Sequence, residues 1–531
     1  MTFTANSTLI YVLVSVCAWA VYLKFKRPGN LPPGPKGYPV VGNLFQLDAN
    51  RPWHILLEWK KTYGDIMYIR LFNQDVIVLN SAKAAGDLLD RRAANYSQRP
   101  RMPVTECLTG GLNVALIDHG TRWRSMRRAA HEALNMRASD GYFPIHMREG
   151  IQLALDILDS PQECHDHVYR FTSFTITSLI YNDTSRRHTI MEELSSLIIE
   201  ISLASAPGRY LANHIPVLEH VPEFLAKWKQ EMKAKYNMYT KSPLKFYLSI
   251  KELVVQKQES ESSFCKMLIE THDQHGLDDL ESAWLAAILY VGGYETTLVT
   301  IEWLIVAMLA FPDVQQKVQA EIDAVIGQAR IPTLADMENL PYMRAVVKEV
   351  RTSYVGVLRF QWADFMLRLR QVFDYFAFND LVDLGGSRTT FTKAITSQKV
   401  AGLYQAAMNH DPATYGQDPD VFRPERFLNE DGTHKESPSD TKDEGHYSFG
   451  FGRRICPGRH LASNSILSFA IVLWAAKLEP GKDAHGNEAP ISISNDQATG
   501  ILSRVPAYHV STKARFPEAL EMLKMANQES M

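Results

Sequence analysis

The sequence predicts a mainly α fold with a small β-region, carried behind an N-terminal membrane anchor. Three observations lead there. Residues 281–310 form the longest proline-free helical run and are apolar on most faces, as in a helix buried all round. The runs Ile66-Met67-Tyr68-Ile69-Arg70-Leu71 and Asp75-Val76-Ile77-Val78-Leu79 read as one hairpin. Residues 7–25 are apolar and uncharged apart from Lys24; as a helix they span about 28 Å, close to a bilayer core.

Composition bounds the rest. Of 531 residues, 46% are apolar and 22% charged, with a net charge of −3. That is ordinary for a globular protein, and nothing points to nucleic acid. The five cysteines (Cys17, Cys107, Cys164, Cys265, Cys456) are scattered and lack metal-site spacing, which argues against a disulfide framework and for a reducing compartment. The chain divides into an anchor over 1–27 and a body over 28–531.

Taken in order, the apolar stretch is followed by Lys24, Lys26 and Arg27, with no basic residue before it. The positive-inside bias then leaves the body in the cytosol. A cleaved signal peptide is the alternative, since Ala18-Trp19-Ala20 has small-x-small character; the missing basic n-region argues against it. Leu31-Pro32-Pro33-Gly34-Pro35 is stiff and extended and sets how the body leaves the membrane. Trp123 and Arg127, four apart in the basic stretch 122–128, share a helix face; alone they mark a solvated basic helix. Residues 207–225 form an apolar, proline-bounded connection.

Within 281–310, Gly292-Gly293-Tyr294-Glu295-Thr296-Thr297 interrupts the apolar run. Two mid-helix glycines cost about 1 kcal/mol each, and a buried glutamate is expensive. Local rules broken together mark a functional site; the structural alternative is a helix pair with a turn at Gly292-Gly293. Helices are expected over 312–327 and 343–350, a surface loop over 429–446, and a small β-region over 480–511. The tail after Pro517 reads as a short amphipathic helix or as disorder.

Phe449-Gly450-Phe451-Gly452-Arg453-Arg454-Ile455-Cys456-Pro457-Gly458 carries the sharpest chemistry. Its glycines allow a tight loop and close approach to a flat ligand. Pro457 suits the first position of a helix, and an apolar helix-like run over 461–478 follows. Cys456 is then expected beside a helix N-terminus with Arg453 and Arg454 nearby, and both favour thiolate. Such a thiolate is a metal ligand or a nucleophile; the bland alternative is a structural cysteine in a glycine-rich turn.

The spacing Phe449-x-x-Gly452-x-Arg454-x-Cys456-x-Gly458 resembles the heme-binding loop of the cytochrome P450 family of heme-thiolate monooxygenases. Gly292-Gly293-x-Glu295-Thr296 is similar to that family's oxygen-activation motif. The resemblance implies the cytochrome P450 fold and heme b with Cys456 as the axial iron ligand, whose electron donation favours O–O cleavage. It packs Phe449 near the thiolate, places Gly452 and Gly458 in the heme-binding loop, and pairs Arg454, with Trp123 and Arg127 from the basic helix, with heme propionates. Small residues would let the long helix bulge over the heme, and Thr296 and Glu295 would relay protons to dioxygen. The reaction implied inserts one atom of O2 into a small hydrophobic substrate and releases water. With no attached flavin or nicotinamide domain, electrons would come from a membrane-bound NADPH–cytochrome P450 reductase. The overall look is closest to fungal microsomal members of secondary metabolism. That implies a single pass through the endoplasmic reticulum membrane with the catalytic domain cytosolic. The connection at 207–225 would dip into the bilayer, and the loop at 498–501 would line the pocket.

One stretch departs from the resemblance. The family's Glu-x-x-Arg ion pair would begin at Glu349, but Arg351 stands one position early, on a different helix face. The pattern is lost from about Val350 to Ala406, which contains no proline and no glutamate. It resumes at Ala407-Met408-Asn409-His410-Asp411-Pro412 and continues to Arg426, expected to complete the ion-pair network. A mis-spliced or frame-shifted gene accounts for these sharp edges; a rebuilt segment is the alternative. Arg359, Arg368 and Arg370 are candidate substitute partners for Glu349. A catalytically impaired or non-catalytic heme-binding protein is therefore the alternative function. An isomerase or dehydratase that needs no external electrons ranks lower, because the chain keeps the acid–threonine pair.

Overall fold

The residues that interrupt the long apolar run do not interrupt its helix. In the computed structural model one unbroken helix runs from Asp279 to Ala310, hereafter the central helix. It starts where expected because Asp278 and Glu281 form a capping box: Asp278 Oδ1 accepts the Glu281 N–H at 2.7 Å, and Glu281 Oε2 accepts that of Asp278 at 3.1 Å. Neither the expected bulge nor a turn occurs at Gly292-Gly293. The reason is lateral. A Cβ on Gly293 would lie 2.6 Å from Ile176 Cδ1, so this glycine lets the neighbouring helix Cys164–Ile180 approach closely. The central helix is long and apolar enough to cross a bilayer, but 83% of its most apolar 18-residue window is buried inside the protein.

The structure describes residues 31–39, 42–47, 52–71, 74–182, 186–205, 209–213, 216–257, 262–353, 400–403, 408–482, 486–487, 491–493 and 505–529. The anchor at 1–27, most of 350–406 with Arg359, Arg368 and Arg370, and the loop at 498–501 lie outside them.

Around the central helix pack Cys164–Ile180, Lys227–Val255 and Pro341–Ser353. Two apolar cores meet along it. One gathers Ala283 to Tyr294 with residues of the basic helix Thr121–Leu134; the other gathers Leu298 to Leu309 with Ile466 to Ala476. Residues 295–297 fall between the two.

The hairpin forms as expected. Strands β1 (Ile66–Leu71) and β2 (Gln74–Leu79) pair antiparallel with Ile66 opposite Leu79, and β3 (Val400–Leu403) adds to β2 in parallel. The proline-rich segment is stitched to this sheet, since the Pro33 carbonyl accepts the Tyr68 N–H at 2.8 Å. Strands β4 (Ala476–Pro480) and β5 (Val510–Ala514) pair antiparallel. The tail forms the helix Ala519–Glu529.

Two expectations need correction here. The run over 461–478 is not one helix: it forms Arg459–Leu467, Ala470–Ala475 and then β4. Its apolar residues are buried on all sides, so no polar face marks the change of period. Nor does Pro457 open a helix. Gly458 is the N-cap and the helix starts at Arg459.

Glu349 is well held despite the displaced arginine. Its Oε2 accepts from Arg426 Nε at 2.9 Å, and its Oε1 accepts from the Arg423 N–H at 2.8 Å and Ser353 Oγ at 3.1 Å. Arg351 faces elsewhere, as its place on the helix requires.

Candidate functional site

The loop before Cys456 is shaped by glycine. Gly450 and Gly452 have φ of 78° and 65°. At Gly452 a Cβ would stand 2.1 Å from the Leu89 carbonyl oxygen, and its N–H donates to Asp90 Oδ1 at 2.7 Å. The Cys456 N–H donates to the Phe449 carbonyl at 2.9 Å and closes the loop.

Cys456 is half-buried. Burial pushes its thiol up, and Glu444 adds to that; the Gly458 N–H, Arg127 and Arg459 oppose it. The cations that favour the thiolate are thus not the expected pair. Arg453 is exposed and meets His119 Nε2 at 3.3 Å. Arg454 donates to the carbonyls of Ser97, Ile117 and Val114 at 3.0, 2.7 and 3.4 Å. Its guanidinium stacks 4.6 Å from the ring centre of buried Trp123. Arg127, one turn along the basic helix, donates to the Ile455 carbonyl, and burial pushes its pKa down. Trp123, Arg127 and Arg454 therefore do gather at the Cys456 loop. The basic helix is in turn tied to the central helix by Arg122 Nε and Glu281 Oε1 at 2.6 Å.

The central helix also packs against the helix that follows Cys456. Along it Val291, Tyr294, Glu295 and Thr297 are buried, whereas Gly292 is exposed and Thr296 half-exposed. These two lie on one face, and Thr296 Oγ1 donates to the Gly292 carbonyl at 2.8 Å. Glu295 points to the buried side beside Tyr294. Burial, and then the Glu295 charge, push the Tyr294 phenol far above its ordinary range. The structure thus brings Thr296 to the open face and keeps Glu295 off it.

These residues fit a flat iron-bearing group. A Cβ at Gly292 or at Gly458 would meet no atom within 4 Å. Among the described residues no group of three or more His, Cys, Asp or Glu could hold a metal ion. The described residues around Cys456 therefore suit a metal that brings its other ligands with it, as a macrocycle does.

A sequence model of the cytochrome P450 family matches residues 32–381 and 393–480. The chain belongs to the cytochrome P450 family. A cytochrome P450 monooxygenase of Armillaria gallica is 35% identical over 98% of this chain and 96% of its own. Cytochrome P450 monooxygenase 58 of Postia placenta is 34% identical over 94% and 91%, and cytochrome P450 monooxygenase iboC of Amanita muscaria is 30% identical over the whole of both. The chain is therefore a cytochrome P450 monooxygenase, an oxidoreductase, and the family's cofactor is heme with a cysteine thiolate on its iron. The unmatched residues 382–392 fall inside the stretch that departs from the motif pattern. The near-complete matches do not favour an impaired protein.

Sequence reasoning missed four participants. Arg459 acts on Cys456 and stands three residues past it, immediately after the motif, so its nearness in sequence was the available signal. Leu89 and Asp90 shape Gly452 from more than 350 positions away, and nothing in the sequence marks them. Arg351 turned out to lie beside Phe449.

Proposed function

We propose that this cytochrome P450 oxidises a small hydrophobic substrate in secondary metabolism, with Cys456 as the thiolate ligand of heme b. The observation that carries the reading is the opening at Gly292 and Thr296 in a helix otherwise buried around it and packed against the helix that follows Cys456. When bound, the heme supplies O2 activation and oxygen insertion. The chain does the rest. Gly458 and Arg127 stabilise the Cys456 thiolate, while the loop glycines let the backbone lie close to a flat ring. Gly292 leaves room for substrate. Thr296 Oγ1 holds a proton on the open face, and Glu295, buried off that face, is the acid that resupplies it through an intervening proton carrier. Arg127 and Arg454, the latter stacked on Trp123, would offer the positive charge that holds the heme propionates, and Phe449, Gly452 and Gly458 would form the loop beside the ring.

Electrons come from an NADPH–cytochrome P450 reductase, with the chain anchored by 1–27 in the endoplasmic reticulum membrane and its body in the cytosol. Support for a membrane face comes from the 209–225 connection, where Leu211, Val217, Phe224 and Leu225 are 51%, 67%, 77% and 68% exposed. Large apolar side chains grouped on a surface mark a membrane or partner.

The test is microsomal coexpression with the reductase and a screen of apolar substrates for a binding-induced Soret shift, followed by turnover. Thr296→Ala should keep the heme spectrum and lower product per NADPH by about 10²-fold. Unchanged product yield in Thr296→Ala removes Thr296 from the proton path, and no oxidation with any reductase removes the monooxygenase reading.

A further inference from the structure

Arg351 is 4% exposed and makes no contact with Glu349, the acid its neighbourhood would predict. Its guanidinium carbon lies 4.9 Å from the centre of the Phe449 ring, a cation stacked on an aromatic face. Nη1 donates to Ser463 Oγ at 3.0 Å, on the helix that follows Cys456. Nη2 is buried without a hydrogen-bond partner. The nearest carboxylate is Glu444, 3.9 Å away, and Glu444 also faces Arg459 at 3.8 Å. One carboxylate thus stands between two guanidiniums. Lys348 adds a further positive charge beside Glu444, and exposed Asp443 a negative one. The Phe449 carbonyl holds the Cys456 N–H, so the stacked ring and the thiol belong to one closed loop.

We propose that Arg351 is a positioning residue whose buried positive charge, only partly offset by the Glu444 it shares with Arg459, lies on the Cys456 side of the helix and so raises the reduction potential of the heme ligated there. This rests on the heme-thiolate reading above. One-electron reduction adds negative charge at the ligated iron. A fixed cation close by, shielded from water, favours that added charge, and groups packed around a metal's ligands set its potential. The sequence moves an arginine by one residue, and the helix turns it from the Glu349 side to the thiolate side.

The experiment is a spectroelectrochemical titration of the full-length chain, with the carbon monoxide difference spectrum recorded on each sample. Arg351→Met should shift the potential to more negative values while the thiolate-type band persists. Arg351→Lys should stay near the unaltered chain. Glu444→Gln, which removes the opposing charge, should shift the potential to more positive values. An unmoved potential in Arg351→Met overturns the proposal, as do equal shifts in the Met and Lys variants. If Arg351→Met takes up no heme, Glu444→Gln decides: a positive shift supports the proposal, and no shift or a negative one overturns it. An absent thiolate band in the unaltered chain sinks the heme-thiolate reading and this inference with it. A normal band with an unmoved potential sinks this inference alone.

Discussion

Arg426 Nε lies 2.9 Å from Glu349 Oε2, with the two side chains 3% and 0% exposed. The pair ties the helix Pro341–Ser353 to the turn Pro424–Phe427. Burial pushes the Glu349 carboxyl up, and Arg426 and the Arg423 N–H pull it back. The arginine is further fixed by the carbonyls of Tyr415 and Asp418 at 2.8 and 2.9 Å.

Removing one partner of a buried pair strands the other. Arg426→Leu should therefore lose about 3–5 kcal/mol of stability, far more than an exposed pair is worth. Urea denaturation measures it. A loss below about 1 kcal/mol shows that Glu349 is carried by its other donors.

Gly292 offers a cleaner test of the opening. Its φ is not positive and its Cβ would meet nothing, so a side chain is compatible with the helix. Gly292→Phe should leave helical circular dichroism and melting unchanged within about 1 kcal/mol. It should diminish the carbon monoxide complex, because the ring fills the space beside Thr296. A full-strength complex in this variant contradicts the placement of the site.

Much of this was legible. The central helix announced itself by apolar residues on most faces, and its site by Gly-Gly-x-Glu-Thr in a place where glycine and glutamate are costly. The Cys456 loop showed through fixed spacing. What spacing could not show was direction. Glu295 and Thr296 are neighbours, yet a helix turns about 100° per residue, so one is buried and the other faces the opening. The arginines beside Cys456 in sequence turn to Ser97, Ile117 and His119, whereas Arg127, 329 positions earlier, reaches the loop. Only packing decides that.

His146 makes stability depend on pH. It is fully buried in the helix Phe143–Asp159, with Nδ1 3.4 Å from Ser465 Oγ and Nε2 unpartnered. Burial lowers its pKa to about 3. Between about 6.5 and 3 the unfolded chain takes up a proton that the folded one refuses. Its contribution is therefore complete above pH 6.5 and falls as pH drops towards 3, by about 1.4 kcal/mol per unit. His146→Leu should flatten denaturation free energy against pH by up to that slope. An identical slope in the variant shows that His146 is not the group responsible.

The central claim is that the Cys456 thiolate holds the heme iron. The carbon monoxide difference spectrum of the reduced chain, compared with that of Cys456→Ser, tests it most directly. The prediction is the strongly red-shifted Soret band of a thiolate-ligated complex in the unaltered chain and its loss in the serine variant. The same band in Cys456→Ser, or none in the unaltered chain, contradicts it.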